Sequence, residues 1–216
     1  MKVTQDACVF GAIVPVDNAE NILDIGTGTG ILSIMLRQRT SANITAIDID
    51  QSAIEQANEN LNRTSFASIN FEKLSVQSFA KQTKRFDLII SNPPYFQGQD
   101  IKKNAEQYNN ARHGISLQFD DLADSVSALL TAKGTFWTIL PIYEFNKLEI
   151  ELNKYGLFKT TEITLQHSST AKNKRIIAEF SRTAATCASK SVTIRNKDNT
   201  YTKEFKNLMQ EYYSIF

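Results

Sequence analysis

Asn92-Pro93-Pro94-Tyr95 is the stretch of this 216-residue sequence whose residue types most directly permit chemistry. The Asn92 side-chain carbonyl and the Pro93 backbone carbonyl can accept the two N–H bonds of an amino group. Such a pair positions an amine nitrogen and favours positive charge developing on it. The residue before a proline is pushed out of the helical region and each proline fixes its own φ, so the segment is rigid. Tyr95 adds an aromatic face on which a planar substrate can stack. A second cluster lies upstream. Asp24-Ile25-Gly26-Thr27-Gly28-Thr29-Gly30 is a glycine-rich turn of the kind that lets backbone approach a ligand closely. In Ile47-Asp48-Ile49-Asp50, Asp48 offers a carboxylate for two ribose hydroxyls, where bonds to a charged acceptor contribute about 1.5–3 kcal/mol. Asp50 is better placed to cap the next helix. Asn-Pro-Pro alone is an ordinary turn; the two motifs together specify a site.

The elements that must hold these residues follow from hydrophobic periodicity. Asn21–Ile25 reads as a strand, Gly30–Arg39 as a helix, Ile44–Ile49 as the second strand, and Ser52–Asn62 as a helix with Ala53, Ile54, Ala57 and Leu61 on one face. Ile69–Leu74 and the buried run Phe86–Ser91 are further strands, which puts Asn92 at the same strand-end edge as the glycine turn. The polar stretch Gln97–Gly114 is too long for an ordinary connection and reads as a functional loop. Leu117–Ala132 is predicted helical, Gly134–Leu140 a strand, and Ile142–Tyr155 a helix closed by Gly156. Phe158–Leu165 and Arg175–Phe180 then form a hairpin, followed by a short strand at Ser191–Arg195 and a helix over Thr202–Tyr213.

The glycines test a nicotinamide reading. A GxGxxG fingerprint needs glycine at position 31, which is Ile31, so the spacing is GxGxG. This resembles the turn of class I methyltransferases, which faces the methionine part of S-adenosylmethionine. The resemblance implies an α/β, Rossmann-like, doubly wound sheet of seven mostly parallel strands ending in an antiparallel hairpin. It would fill residues 1–216 as one domain, with a core over 18–182 and a strand–helix appendage over 190–216. It also implies cofactor contacts from Asp24, Gly26, Thr27, Gly28, Gly30 and Asp48. The carboxylate that often meets the adenine amine after strand three is replaced here by Ser75, whose hydroxyl is the candidate cofactor contact in its place.

Composition bounds the rest. With 42% hydrophobic and 22% charged residues the chain is of ordinary globular type, and no apolar run approaches a membrane span. Cys8 and Cys187 are the only cysteines and lack CxxC spacing, which points to a reducing, cytoplasmic setting without a zinc site. His113 and His167 form no ligand cluster, so no metal is expected, nor is an obligate protein partner. The net charge of +1 hides an asymmetry, because Lys159–Lys197 carries eight basic residues against Glu162 and Glu179. A basic segment on a near-neutral protein suits a face that meets phosphate, or simply a solvated hairpin.

Asn-Pro-Pro-Tyr occurs in enzymes that methylate adenine N6, guanine N2 or a glutamine amide. Over its whole length the chain most resembles the bacterial valine-tRNA (adenine-37) N6-methyltransferases. The similarity lies in Lys2-Val3-Thr4-Gln5-Asp6, in Phe86 to Tyr95, in Ala111-Arg112-His113, and in the tail Val192-Thr193-Ile194-Arg195 with Asn199-Thr200-Tyr201-Thr202. Members usually carry a further basic and aromatic stretch before the Lys-Val segment, where this sequence has only Met1. The resemblance implies methyl transfer to an adenine in tRNA, with Arg112, Lys172, Lys174 and Arg175 as candidate RNA contacts. A glutamine-N5 methyltransferase of release factors and a catalytically silent cofactor-binding subunit are the competing readings.

Overall fold

The computed structural model describes residues 3–94, 117–171 and 174–213. Tyr95, Arg112, His113 and Lys172, all singled out above, lie outside the described residues.

Alternation of apolar strands with amphipathic helices builds a three-layer structure. In chain order the elements are α1 (Gln5–Ile13), β1 (Asn21–Ile25), α2 (Ile31–Arg37), β2 (Asn43–Asp48), α3 (Gln51–Asn62), β3 (Asn70–Lys73), α4 (Val76–Phe79) and β4 (Phe86–Ser91). They continue as α5 (Phe119–Leu129), β5 (Leu130–Pro141), α6 (Ile142–Lys154), β6 (Phe158–Ser168), β7 (Lys174–Ser181), β8 (Ala188–Arg195) and α7 (Lys203–Met209). One sheet runs in the order β3-β2-β1-β4-β5-β7-β6-β8. Strands β1 to β5 are mutually parallel, and β7 is antiparallel to both β5 and β6.

Side chains alternate across the strands, so each face of the sheet receives its own apolar layer. On one face Ile22, Leu88, Ile90, Trp137 and Ile177 pack with Phe10 of α1, Leu36 of α2 and Phe205 of α7. On the other, Leu23, Ile89, Phe136 and Ala178 pack with Phe79 of α4, Val126 of α5 and Leu148 of α6. Strands covered on both sides read as unbroken apolar runs, which is why Leu88-Ile89-Ile90 stood out in the sequence.

Three departures from expectation bear on how the sheet and its flanking helices are laid out. The sheet has eight strands rather than seven, because β8 pairs in parallel with β6 from Thr161↔Ala188 to Ser168↔Arg195. Val192 and Ile194 thereby enter the apolar layer, and the backbone edge of β6 is covered. The helix expected to Ala132 stops at Leu129, and β5 starts at Leu130, where pairing with Phe86 takes over before a bulge leads to Leu88↔Thr135. The last helix starts one residue late because Thr202 caps it, its hydroxyl oxygen accepting the Phe205 N–H at 3.1 Å. Among the described residues no helix is long and apolar enough to cross a membrane.

Candidate active site

The strand order reverses direction at β1, which has β2 on one side and β4 on the other. In doubly wound sheets ligands bind at the carboxyl edge of such a switch point. Register aligns the strand ends there, with Ile25 beside Ile47 and Ser91, and Asp48 beside Lys73. The residues that follow these strands therefore converge on one place. A cleft of about 430 Å3 opens there, lined by Gly26, Gly28, Asp48, Ser75, Asn92 and Pro94 among others.

The glycine turn is stitched to β2. Gly26 and Thr27 both donate their N–H to the Ile47 carbonyl, at 2.9 and 3.0 Å. Gly28 N–H donates to Asp48 Oδ2 at 2.9 Å, while Asp48 Oδ1 accepts from Asp50 N–H at 3.0 Å. Each carboxylate oxygen has two acceptor directions, so Asp48 retains one on each oxygen. Asp50 caps α3 as expected, accepting from Ser52 N–H at 2.9 Å, and those bonds hold its carboxyl below the usual range.

Asp24 is fully buried in β1. Its Oδ2 accepts from the hydroxyls of Thr27 and Ser33, both at 2.7 Å, and its Oδ1 has no hydrogen-bond partner among the described residues. Burial, with a smaller push from Asp48, raises its pKa to about 6 despite those two bonds.

The Asn92 segment is fixed from behind. Ser91, fully buried, donates its hydroxyl to the Ile25 carbonyl at 2.9 Å, tying the end of β4 to the start of the glycine turn. Asn92 then lies half-buried on the cleft wall, Pro93 is buried and Pro94 exposed. Two carbonyl acceptors on a rigid frame, beside a glycine turn that admits a ligand, can bind an amine and orient it toward an electrophile in the cleft.

Comparison with known proteins agrees with this geometry. A family model described as "Methyltransferase small domain" matches residues 7–112. The chain is 36% identical to a tRNA1(Val) (adenine(37)-N6)-methyltransferase of Phocaeicola vulgatus, over 99% of this chain and 91% of that one. It is also 36% identical to the enzyme of that name from Dyadobacter fermentans, over 100% and 92%. The chain belongs to this methyltransferase family. Among solved structures, a predicted O-methyltransferase from Agrobacterium tumefaciens superposes with a TM-score of 0.70 at 17% identity, covering 95% of this chain and 96% of that one. A ribosomal protein L11 methylase from Lactobacillus delbrueckii gives 0.59 at 20%, covering 83% and 78%. These two share the fold.

S-adenosylmethionine is the cofactor of the family, and the residues present fit it. A Cβ on Gly26, whose φ is +73°, would project into open space, so the glycine leaves room at the cleft wall. The unpartnered Asp24 Oδ1 is a buried acceptor near the turn, suited electrostatically to a cationic amino group. Ile49, 48% exposed despite its size, joins Leu74, Val76 and Leu117 in an apolar slot for a flat ring. The sequence assigned no site role to Ile49, Gln77 or Leu117; Ile49 lies inside the Ile47–Asp50 motif and Gln77 two residues after Ser75, and an isoleucine between two aspartates was the available signal. Ser75 lines the cleft as well, and its side chain caps α4.

The basic segment divides by register. Lys159 lies between Glu149 and Glu162 at 3.0 and 2.6 Å, and Arg182 donates to the Ser127 carbonyl at 2.6 Å, both at the amino-end edge of the parallel strands. Lys174 and Arg175 open β7 beside Gln166, Leu165 and Pro141, at the carboxyl edge that holds Asn92. Arg175 pairs with Asp6 of α1 at 3.3 Å. Arg195 reaches the same edge opposite Ser168 and lies over the Tyr201 ring at 4.1 Å.

Proposed function

We propose that this protein is a tRNA methyltransferase that transfers a methyl group from S-adenosylmethionine to the N6 amine of an adenine, adenine 37 of valine tRNA. The observation that carries this reading is 36% identity over nearly the whole length to enzymes of that name, together with the Asn92-Pro93-Pro94 segment tied beside the glycine turn.

The bound cofactor supplies an electrophilic methyl group on a sulfonium. In our reading Gly26 and Gly28 form the backbone wall that admits it, Thr27 and Gly30 close the turn behind them, Asp48 takes the ribose hydroxyls, and the buried Asp24 offsets the amino group's charge from behind the turn. The Asn92 side-chain carbonyl and the Pro93 carbonyl accept the N–H bonds of the adenine amine. Their dipoles meet the positive charge that develops on nitrogen, a form of electrostatic help that needs no covalent intermediate. Pro94 keeps the segment stiff, and Tyr95 stacks on the base once it leaves the anticodon loop. Unstacking costs a few kcal/mol, which stacking and phosphate contacts offset. Lys174 and Arg175 support an RNA-facing role through their place at the carboxyl edge, and Arg112 and Lys172 are assigned to it from the sequence.

Incubation with labelled cofactor and total tRNA tests the assignment. N6-methyladenosine in valine tRNA alone is the expected product. Labelled release factor in place of RNA would move the protein to the glutamine-N5 class, and no label in either would leave a silent subunit.

A further inference from the structure

The cleft wall after β3 has to recognise a ring whose exocyclic amine is a donor. Ser75 is the residue at the position where related enzymes carry a carboxylate, yet its hydroxyl is committed to α4. Its proton goes to Ser78 Oγ at 3.0 Å, and its oxygen accepts the Ser78 N–H at 3.3 Å. Two residues on, Gln77 also lines the cleft. Its Nε2 donates to Asp121 Oδ2, on the first turn of α5, at 3.2 Å.

That contact decides which end of the amide is left over. An ionised carboxylate only accepts, so Asp121 selects the Nε2 end and would repel Oε1 if the amide turned round. With one Nε2 hydrogen spent on Asp121, Gln77 keeps Oε1 and the second Nε2 hydrogen for a ligand, and which is which is fixed, with Oε1 the acceptor. The same contact polarises the amide, which strengthens the carbonyl as an acceptor. We infer that Gln77, oriented by Asp121, accepts a hydrogen bond from the exocyclic amine of the cofactor's adenine and so selects adenine over a 6-oxopurine. This rests on reading the cleft as the S-adenosylmethionine site. Gln77 is the residue that meets the base; Asp121 is a positioning residue that acts through it.

The arrangement also ties cofactor recognition to α5. Leu117, just before that helix, lines the same cleft, so the α5 entry contributes an apolar contact directly and a polar one through Gln77.

Equilibrium binding tests this without turnover. Dissociation constants for S-adenosylhomocysteine and S-inosylhomocysteine, which has a carbonyl in place of the amine, are measured by calorimetry for the wild type, Gln77→Ala and Asp121→Ala. Gln77 is exposed, so thermal midpoints should stay close to wild type. The wild type is expected to prefer the adenine ligand by about tenfold, the scale of one partly solvated hydrogen bond exchanged for an acceptor–acceptor clash. Gln77→Ala should bring the two ligands within twofold of each other, and Asp121→Ala should narrow the ratio by freeing the amide to turn. An unchanged ratio in Gln77→Ala overturns the inference while leaving the cofactor site in place. An unchanged ratio in Asp121→Ala alone removes the positioning role. Failure of the wild type to bind S-adenosylhomocysteine refutes the reading of the cleft itself.

Discussion

Asn92 follows β4 and Asp24 lies on the adjacent β1, and they differ in charge, one a neutral amide and the other a buried carboxyl. Asn92 offers a neutral acceptor at the cleft wall, where a carboxylate would over-stabilise a cationic product. Replacing it by Ala removes one of the two proposed amine acceptors and should lower transfer on the order of a hundredfold or more, the usual loss for a transition-state hydrogen bond. S-adenosylhomocysteine affinity should change little, because the cofactor's assigned contacts come from other strands; a matching loss of affinity would place Asn92 in the cofactor site instead. Asp24 carries a raised pKa of about 6, so the folded protein holds that proton more tightly than the unfolded chain. Its contribution to stability is fully present below about pH 4 and is lost as pH rises through about 6, a change of about 3 kcal/mol from this group. Asp24→Asn abolishes the titration. Urea unfolding across pH 4.5–7 should therefore show the wild type losing stability relative to the variant as pH rises, and parallel curves would count against a raised Asp24.

At the scale of elements, the glycine turn does two separate jobs. Gly26 and Gly30 have φ of +73° and +75°, a region that costs other residues about 1–2 kcal/mol. Around Gly26 an added Cβ meets nothing, whereas at Gly30 it would lie 2.9 Å from the Ala57 Cβ and 3.1 Å from the Phe71 ring. Gly30→Ala should thus cost markedly more folding stability than Gly26→Ala, read as the difference in thermal midpoints. Gly26→Ala should instead weaken cofactor binding, since Gly26 lines the cleft and an added methyl group would stand in open space there. Much of this was legible beforehand. β1 and β4 lie where apolar runs bounded by polar residues put them, and Gly26 and Asn92 follow from those strand ends. The joint between α5 and β5 was not, because Leu129-Leu130-Thr131-Ala132 contains no breaker and only pairing with Phe86 decides where helix becomes strand. α4 escaped notice for a similar reason: four residues are too few for periodicity, and Ser75, read as a ligand contact, is also its cap. The Gln77–Asp121 contact joins residues 44 apart, so no local pattern could announce it.

Across the whole molecule, charge is sorted by strand register rather than by sequence neighbourhood. The eight basic residues between Lys159 and Lys197 look like one patch in sequence, yet Lys159 and Arg182 are held at the far edge, while Lys174, Arg175 and Arg195 share the edge of the cleft. With the three cations of that edge as the proposed phosphate contacts, tRNA affinity should fall about 20- to 40-fold between about 50 and 200 mM salt, while S-adenosylhomocysteine affinity holds. A filter-binding salt titration reads both, and flat RNA binding would remove this edge from the interface. The strand order has a further consequence for biosynthesis. β6 lies between β7 and β8, both of which leave the ribosome after it. While translation is still short of Lys174, β6 is an eleven-residue ribbon with Ile163 and Leu165 uncovered and no partner strand yet made. β7 must then enter between β5 and the waiting β6, and β8 closes the row last. The interval before β7 is made is the period in which the nascent chain is most open to pairing with a neighbour, and in which a holding chaperone has the most to cover.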